Sequence, residues 1–405
     1  MHCRSLTHLS GLCVVGALSL TVLSSAVGQP VTGGSGDALR TAGEFVEAGR
    51  AYEATLNVSP TDAGALAGLG QIRLYENRAD DAMALAKRAL VVEPSNPTAL
   101  ATLATAQQRK DAFARNRYQI SGLPLEFAIP FVVTDPLPIV QVTVGGRQAY
   151  FLIDTGAPDI MLDADLANEL GVQVHSAGEG VFLGGRRAPV QEGILPELQI
   201  GPVKIANVPA HIRPAGRLFQ IQGFKIEGMI GTGLLMHFLS SLDYCQGRLV
   251  LRPRDASSKV EQMAVAKGAN IVPFWLAGDH FLVSRARLLH GSEGLFVVDT
   301  GGAGVGLGAT KATLDDAGVM IDPAAAQTRR GGGGKVTVIP FRSGATLGSM
   351  TVEDVPGAYT PNGDPYGNYR FKVFGALSHG FFRHSTVTFD FDAMRLITEP
   401  CSVRG

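Results

Sequence analysis

The tripeptide Asp-Thr-Gly occurs twice in this chain, beginning at Asp154 and again at Asp299. Each copy directly follows an apolar, strand-like run, at residues 150–153 and 295–298. At average amino-acid usage, a given tripeptide of this composition occurs by chance in about a tenth of chains of this length. Two copies in equivalent contexts therefore indicate that one structural unit is present twice, with an aspartate on a tight turn in each copy.

The sequences around the two triplets also correspond. A short apolar segment that ends in glycine, called the apolar step below, follows each triplet, and Gly375 lies almost as far beyond Asp299 as Gly231 lies beyond Asp154. A short helical stretch precedes each step and ends in glycine, as expected at a helix C-terminus. The matching segments are Ile129-Pro130-Phe131 with Val272-Pro273-Phe274, Leu170-Gly171 with Ala317-Gly318, Met229-Ile230-Gly231 with Val373-Phe374-Gly375, and Leu242-Asp243-Tyr244 with Phe389-Asp390-Phe391. They predict two copies of one domain, at 123–252 and 268–405.

This pattern resembles the retropepsin-like aspartic peptidases, in the form found as bacterial exported proteins with two fused lobes. The resemblance covers roughly Leu123 to Pro400. It implies that each lobe is a small β-barrel-like unit contributing one aspartate, and that the active site forms where the two lobes meet. The fold class expected is therefore multidomain, α plus all-β, with N-terminal helical hairpins followed by two tandem retropepsin-like lobes.

Paired carboxylates suit this chemistry. Peptide hydrolysis without a metal or a covalent nucleophile needs one group to take a proton from water and another to give one to the substrate. Two carboxylates about 3 Å apart cannot both ionise, so one pKa is raised while the other stays low. Glycine after Asp-Thr allows two such loops to approach closely. The resemblance assigns catalysis to Asp154 and Asp299, with loop support from Thr155, Gly156, Ala157, Thr300, Gly301 and Gly302, and implies a cross-lobe hydrogen bond between the threonines.

Candidate flaps lie between each aspartate and the later apolar step. The family closes its cleft with a glycine-bearing hairpin, and residues 181–185 and 331–334 are the candidates. Plain mobile loops are the alternative for both segments. The glycine run at 331–334 is not a phosphate loop, because Val336 follows Lys335 where a serine or threonine would bind magnesium.

The second copy departs from the family pattern. Its triplet continues into a glycine-rich segment at 302–306, which predicts a more flexible loop. The segment from Gly375 to Asp390 is longer than that from Gly231 to Asp243, which predicts an altered helix behind the second aspartate. In the first copy, Asp159 is interpreted as a solvated loop carboxylate.

Two different segments precede the repeat. Residues 1–28 have a short polar start, an apolar stretch and a small-residue cleavage site, which is typical of a secretory signal peptide and predicts a periplasmic or secreted protein. A retained membrane anchor is the alternative.

Residues 37–115 are rich in Ala and Leu, and several positions in them recur at a regular interval, for example Pro60 and Pro94. The interval resembles the repeat period of the tetratricopeptide helix pair. This unit is expected to dock a partner protein or to support the fold, and residues 116–122 are the predicted connector.

The cysteines, the net charge and the absence of other catalytic motifs limit the cross-links, partners and cofactors that this chain is expected to have. Beyond residues 1–28, the cysteines are Cys245 and Cys401, which an oxidising compartment would allow to pair. Their unequal positions in the two copies favour the alternative, two unpaired buried thiols. A net charge of −1 argues against nucleic acid or an acidic membrane surface as the main partner. No His-Glu-x-x-His or Gly-x-Ser-x-Gly motif is present, so neither a metal nor another cofactor is predicted.

Two functions are consistent with these features. The first is an aspartic endopeptidase that acts on peptide or protein substrates through Asp154 and Asp299. The second is a non-catalytic peptide-binding or scaffold protein that uses the same cleft and the helical repeat. The presence of both aspartates favours the enzyme, whereas the glycine-rich second loop leaves room for the binding protein.

Overall fold

A computed structural model describes residues 33–114, 117–182, 186–213, 220–278, 280–331, 334–362, 366–367 and 369–402. The predicted signal peptide lies outside these residues. Within the described part, no helix is both long enough and apolar enough to cross a bilayer.

Five α-helices form the N-terminal segment. The starts of α2 and α4 are separated by the same number of residues as Pro60 and Pro94. The starts of α3 and α5 are separated by that number as well. Asp62 and Asn96 cap α3 and α5 by accepting hydrogen bonds from the backbone N–H groups of Ala65 and Ala99. The helices of the described chain are α1 (Gly33–Ala42), α2 (Phe45–Val58), α3 (Ala63–Tyr75), α4 (Ala79–Val92), α5 (Pro97–Ala112), α6 (Ala164–Glu169), α7 (Thr232–Leu235), α8 (Ser257–Ala266), α9 (Lys311–Asp316) and α10 (His379–Phe382).

The rest of the chain is mainly β-structure, and many of its strands bury most of their residues in the core. The strands are β1 (Gln119–Ser121), β2 (Phe127–Val133), β3 (Ile139–Val144), β4 (Arg147–Ile153), β5 (Ile160–Asp163), β6 (Val174–Phe182), β7 (Arg186–Ile200), β8 (Val203–Arg213), β9 (Gln220–Ile221), β10 (Phe224–Ile230), β11 (Leu239–Asp243), β12 (Arg248–Arg252), β13 (Asn270–Ala277), β14 (Phe281–Leu288), β15 (Gly294–Asp299), β16 (Leu307–Ala309), β17 (Gln327–Gly331), β18 (Gly334–Leu347), β19 (Met350–Tyr359), β20 (Val373–Ser378), β21 (Ser385–Asp390) and β22 (Arg395–Pro400).

The same strand pairing occurs in a first β half, residues 117–252, and in a second β half, residues 270–402. In the first half, β10 runs parallel to β4 and antiparallel to β5. In the second, β20 runs parallel to β15 and antiparallel to β16. Each of the strands β4 and β15 leads directly into an Asp-Thr-Gly triplet. The pairing therefore presents both triplets at the end of a buried, paired strand.

A six-stranded antiparallel sheet joins the two halves in the order β2-β12-β11-β21-β22-β13. The junction is the pairing of β11 with β21, in which Asp243 lies opposite Thr386. Beside it, one apolar core continues from the first half into the second. Because the halves share both a sheet and a core, the two triplets are held in a defined relation to each other.

The helical segment packs on the second β half. Phe45 and Tyr75 form a cluster with Trp275 and Phe371, whose ring centroids lie 5.5 and 5.0 Å from that of Phe45. Burial of four aromatic rings at one contact stabilises the docked arrangement by several kcal/mol, at about 25 cal/mol per Å² of apolar surface. The helical segment is therefore docked on the second β half through an aromatic cluster.

The predicted connector at 116–122 and the segment between the two halves both contain regular structure. Residues 119–121 form β1, which pairs with β8 from Lys204 to Ala206. The segment between the halves forms a 3₁₀ turn at Arg254–Ala256 and then α8.

Cys245 and Cys401 form a disulfide with an S–S distance of 2.08 Å. The prediction of two unpaired thiols is wrong. The two cysteines do not occupy equivalent positions in the two repeats, but the pairing of β11 with β21 brings them together. Cys245 follows the end of β11, and the backbone of Cys401 bonds to that of His384, which immediately precedes β21.

Candidate active site

Each Asp-Thr-Gly triplet opens a loop at the end of a buried strand. The first DTG loop, residues 154–159, runs from β4 to β5, and the second DTG loop, residues 299–306, runs from β15 to β16. Asp154 is held in place by its own backbone N–H, which donates to the carbonyl of Ile230 at 3.0 Å. The parallel pairing of β15 with β20 continues to Asp299, which lies opposite Ser378.

The two threonines link the loops by reciprocal hydrogen bonds. The backbone N–H of Thr155 donates to Oγ1 of Thr300 at 3.0 Å, and the N–H of Thr300 donates to Oγ1 of Thr155 at 3.1 Å. Each hydroxyl also donates across the interface, to the carbonyls of Val298 at 2.9 Å and Ile153 at 3.3 Å. Both threonines are fully buried, so these four bonds are shielded from water. The expected cross-half hydrogen bond is present in both directions.

The glycines of the triplets permit the carboxylates to approach each other. A Cβ on Gly156 would lie 2.8 Å from Cγ of Asp299, and a Cβ on Gly301 would lie 2.3 Å from the carboxylate of Asp154. Each glycine N–H also donates to the aspartate of its own loop, at 2.8 and 2.9 Å. Each carboxylate is therefore packed against the glycine of the opposite loop.

Burial and neighbouring charges shift the pKa of Asp154. Burial and then the charge of Asp299 hold the pKa of Asp154 well above its usual range, while the N–H of Gly156 and the charge of Arg213 act in the opposite direction. A raised pKa on a buried carboxyl that lies beside a second carboxylate favours the retention of a proton at this pair of groups.

The second apolar step was assigned to the wrong residue from the sequence. Ile230 lies opposite Ile153 in the first half, and Leu377 lies opposite Val298 in the second. Ser378 therefore takes the place of Gly231, beyond the predicted Gly375. The error arose because a glycine was expected at the end of the step, and the second half has a serine there.

Gly375 corresponds instead to Gly228. Both glycines lie against the phenylalanine of the strand that leads into the triplet, with ideal Cβ positions 2.5 Å from the ring of Phe151 and 2.9 Å from that of Phe296. With this register, the distance from Ser378 to the closing aspartate equals that from its counterpart in the first half. The predicted alteration of the following helix is therefore also wrong, since α7 and α10 are equally long.

Different hydroxyls support the two loops. In the first half, Thr232 Oγ1 donates to the carbonyl of Thr155 at 2.9 Å. In the second, Ser378 Oγ donates to the carbonyl of Asp299 and accepts from the N–H of Gly302 at 2.9 Å. Ser378 is thus a supporting residue that the sequence pattern missed, and it anchors the start of the glycine-rich segment that was expected to be loose.

Asp159 is anchored, so its interpretation as a solvated loop carboxylate is wrong. Its carboxylate accepts a hydrogen bond from the hydroxyl of Tyr118 and lies 3.6 Å from Nε2 of His211. Its backbone carbonyl accepts from the N–H of Gly231 at 2.9 Å. These contacts tie the far end of the first DTG loop to β8, to the end of β10 and to the segment that follows the helices.

The candidate flaps belong to hairpins. Residues 181–182 end β6, which pairs with β7, while residues 183–185 lie outside the described part. Gly331 ends β17 and pairs with Gly334 at the start of β18, and residues 332–333 also lie outside it. Both segments are therefore at hairpin ends, as a flap requires. Among the described residues, no cluster of three or more His, Cys, Asp or Glu side chains could hold a metal ion.

The aspartyl protease family model matches residues 140–234. This region runs from β3 to α7 and contains the first Asp-Thr-Gly triplet together with the step at Gly231. The first β half is therefore similar to the aspartyl protease family over this region. The second triplet lies outside the matched region. No curated protein matches the chain.

Two solved structures are similar to parts of the chain. A retropepsin-like aspartic protease from Rickettsia conorii aligns at 20% sequence identity, over 33% of this chain and 91% of its own, with a TM-score of 0.25. An aspartic proteinase from Irpex lacteus aligns at 13% identity, over 68% of this chain and 98% of its own, with a TM-score of 0.42.

Proposed function

We propose that this protein is an aspartic endopeptidase in which Asp154 and Asp299 activate a water molecule between them. The observation that carries the proposal is the interlock of the two DTG loops, in which each carboxylate packs against the glycine of the opposite loop while buried threonines bond reciprocally. Two carboxylates held this close raise the free energy of the folded state by mutual repulsion. Destabilising arrangements of this kind cluster at functional sites.

The two carboxylates divide the proton transfers. Asp299 takes a proton from the water that attacks the scissile carbonyl carbon, and Asp154 donates its proton to the carbonyl oxygen. A tetrahedral diol forms. When the C–N bond breaks, Asp299 gives its proton to the departing amine while Asp154 takes a proton from a hydroxyl of the diol, so that the carboxylic acid product forms and the dyad again holds one proton. The raised pKa of Asp154 is the reason for assigning it the acid role.

The two β halves act as the two lobes of one enzyme on this proposal, and the hairpins β6–β7 and β17–β18 close over the substrate. Residues 1–28 direct export to the periplasm or the extracellular space. The disulfide between Cys245 and Cys401 supports that compartment, since disulfides persist where the surroundings are oxidising. The substrate is a peptide or an unfolded protein chain, and the helical segment belongs to the tetratricopeptide type on the basis of its repeat period.

The test is cleavage of an unfolded protein by purified protein, with and without a statine-type inhibitor. The inhibitor mimics the tetrahedral diol and should therefore bind far more tightly than substrate and stop cleavage. An inhibitor of serine peptidases serves as the control and should have no effect. Binding of the unfolded protein without cleavage would support the alternative, a non-catalytic peptide-binding or scaffold protein.

A further inference from the structure

The C-terminal end of α5 is connected to the first DTG loop by two separate chains of contacts. One runs through Arg109 and the turn between β13 and β14, and the other through Phe113 and Tyr118. Neither chain follows from the Asp-Thr-Gly pattern, because α5 belongs to the helical segment that precedes the β halves.

The first chain begins at Arg109, which is only 5% exposed. Its guanidinium donates to the carbonyl of Leu276 at 2.9 Å and to that of Gly278 at 2.6 Å, and it also bonds to the carbonyl of Leu74 in α3. Bonds from a cation to buried carbonyls are stronger than neutral ones. Arg109 therefore fixes the end of β13 and the turn that follows it against the helices.

His280 extends from this turn to the first DTG loop. Its Nε2 lies 3.2 Å from the carbonyl oxygen of Gly156, and its ring centroid lies 3.9 Å from that of Phe281. A carbonyl can only accept a hydrogen bond, so His280 carries a proton on Nε2 in this contact. Gly156, whose carbonyl His280 contacts, also donates a hydrogen bond to Asp154 through its own N–H.

The second chain is a series of ring contacts. The ring of Phe113 lies 4.5 Å from that of His237, which in turn lies 4.3 Å from that of Tyr118. Tyr118 is 4% exposed and has a left-handed backbone with φ of 45°. Its hydroxyl donates to the carboxylate of Asp159. A strained, buried tyrosine is maintained only where surrounding contacts hold it.

The two chains reach the first DTG loop at different points, at Gly156 and at Asp159. Asp154 therefore sits on a loop that is fixed near both ends by residues connected to α5. We propose that the helical segment braces the active site within the chain, with Arg109, Tyr118 and His280 as positioning residues for Asp154. This inference rests on the proposed function, and it gives the helices a role in the reaction that requires no partner protein.

The test measures kcat, KM and inhibition by a statine-type compound for Arg109→Gln and Tyr118→Phe in the full chain. Arg88→Gln and Tyr52→Phe are matched controls. Arg88 donates to the carbonyl of Pro60, and the hydroxyl of Tyr52 bonds to Asp37, so each control loses the same type of bond within the helices alone.

We expect kcat to fall about tenfold in each test variant, with KM within about twofold of wild type, because misplacing a reacting group lowers the rate without removing substrate contacts. Inhibitor binding should weaken by the same factor as kcat/KM. Arg109→Lys keeps a cation at the same carbonyls and should recover part of kcat. The controls should keep wild-type kcat even where their melting temperatures fall.

Two results would overturn the brace. One is wild-type kcat in Tyr118→Phe, which loses only a hydroxyl and is expected to fold. The other is an equal fall of kcat in the test and control variants, which would reflect general destabilisation. Failure of the proposed function would look different, since wild-type protein would then show no cleavage that the inhibitor blocks.

Discussion

Replacing Gly301 by alanine should test whether the close packing of the two DTG loops positions Asp154 for catalysis. The added Cβ would lie 2.3 Å from the carboxylate of Asp154. Gly301 does not have a left-handed backbone, so alanine meets no conformational barrier there. The effect of the substitution on catalysis therefore acts through the position of the carboxylate.

The size of the effect follows from the contact distance. A carbon and a carboxylate need roughly 3.4 Å, so the carboxylate or the loop must move by about 1 Å. A misplacement of that size reduces catalysis about a hundredfold, or about 2.7 kcal/mol in the activation barrier. Gly156→Ala has a longer contact of 2.8 Å with Cγ of Asp299, and its smaller shift should reduce kcat about tenfold. Overpacking should cost about 1–3 kcal/mol of folding stability in both variants.

The assay is steady-state cleavage of a fluorogenic peptide, with urea unfolding measured in parallel. Gly64→Ala is the matched control, because its Cβ would lie 3.4 Å from the carboxylate oxygen of Asp62, which is an ordinary contact. That variant should keep its activity and gain up to about 1 kcal/mol from improved helix propensity. Activity of Gly301→Ala within about threefold of wild type would refute the close packing of the two loops.

Three further predictions concern stability and the second half. Burial lowers the pKa of His237 from 6.5 to about 4, so the unfolded chain binds a proton there before the folded one does, and stability should fall as pH drops from 6.5 to 4, by up to about 3 kcal/mol. Urea unfolding at several pH values should show a shallower decline in His237→Gln, and equal slopes would contradict the assignment. The disulfide closes a sequence separation of 156, so Cys245→Ser should lower the free energy of unfolding by up to about 5 kcal/mol and make the melting temperature insensitive to reductant; a reductant-sensitive variant would contradict this. Ser378→Ala removes two hydrogen bonds to the second DTG loop and should lower kcat, whereas Ser385→Ala, which loses a comparable bond to a carbonyl elsewhere, should not; equal activities would remove Ser378 from the site.

Local patterns predicted much of the fold. The sequence recurrence in the N-terminal segment predicted helices, and those helices start at the same interval. The glycines after α6 and α9 adopt the left-handed backbone expected at helix ends, with φ of 66° at Gly171 and 65° at Gly318. These features depend on residues close in the chain. The hydrogen bonds between the loop threonines were also correctly predicted, from the resemblance to the retropepsin-like family.

Features that depend on register or long-range contact were not predictable in the same way. Ser378 was missed because the strand pairing, and not the glycine, marks the end of the apolar step. The disulfide depends on which strands meet at the junction of the halves. The contacts of Arg109, Tyr118 and His280 join segments far apart in the chain, and a single arginine, tyrosine or histidine carries no local signal of such a role.

The most direct test of the central claim is the peptide cleavage rate of Asp154→Asn and of Asp299→Asn, measured beside wild type. Asp165→Asn, on an exposed carboxylate of α6, controls for the loss of one charge. Neither carboxylate alone can act as both base and acid, so each dyad variant should lose at least about a thousandfold in kcat while Asp165→Asn stays at the wild-type rate. Unchanged cleavage in a folded Asp154→Asn or Asp299→Asn protein would contradict a mechanism that depends on both aspartates.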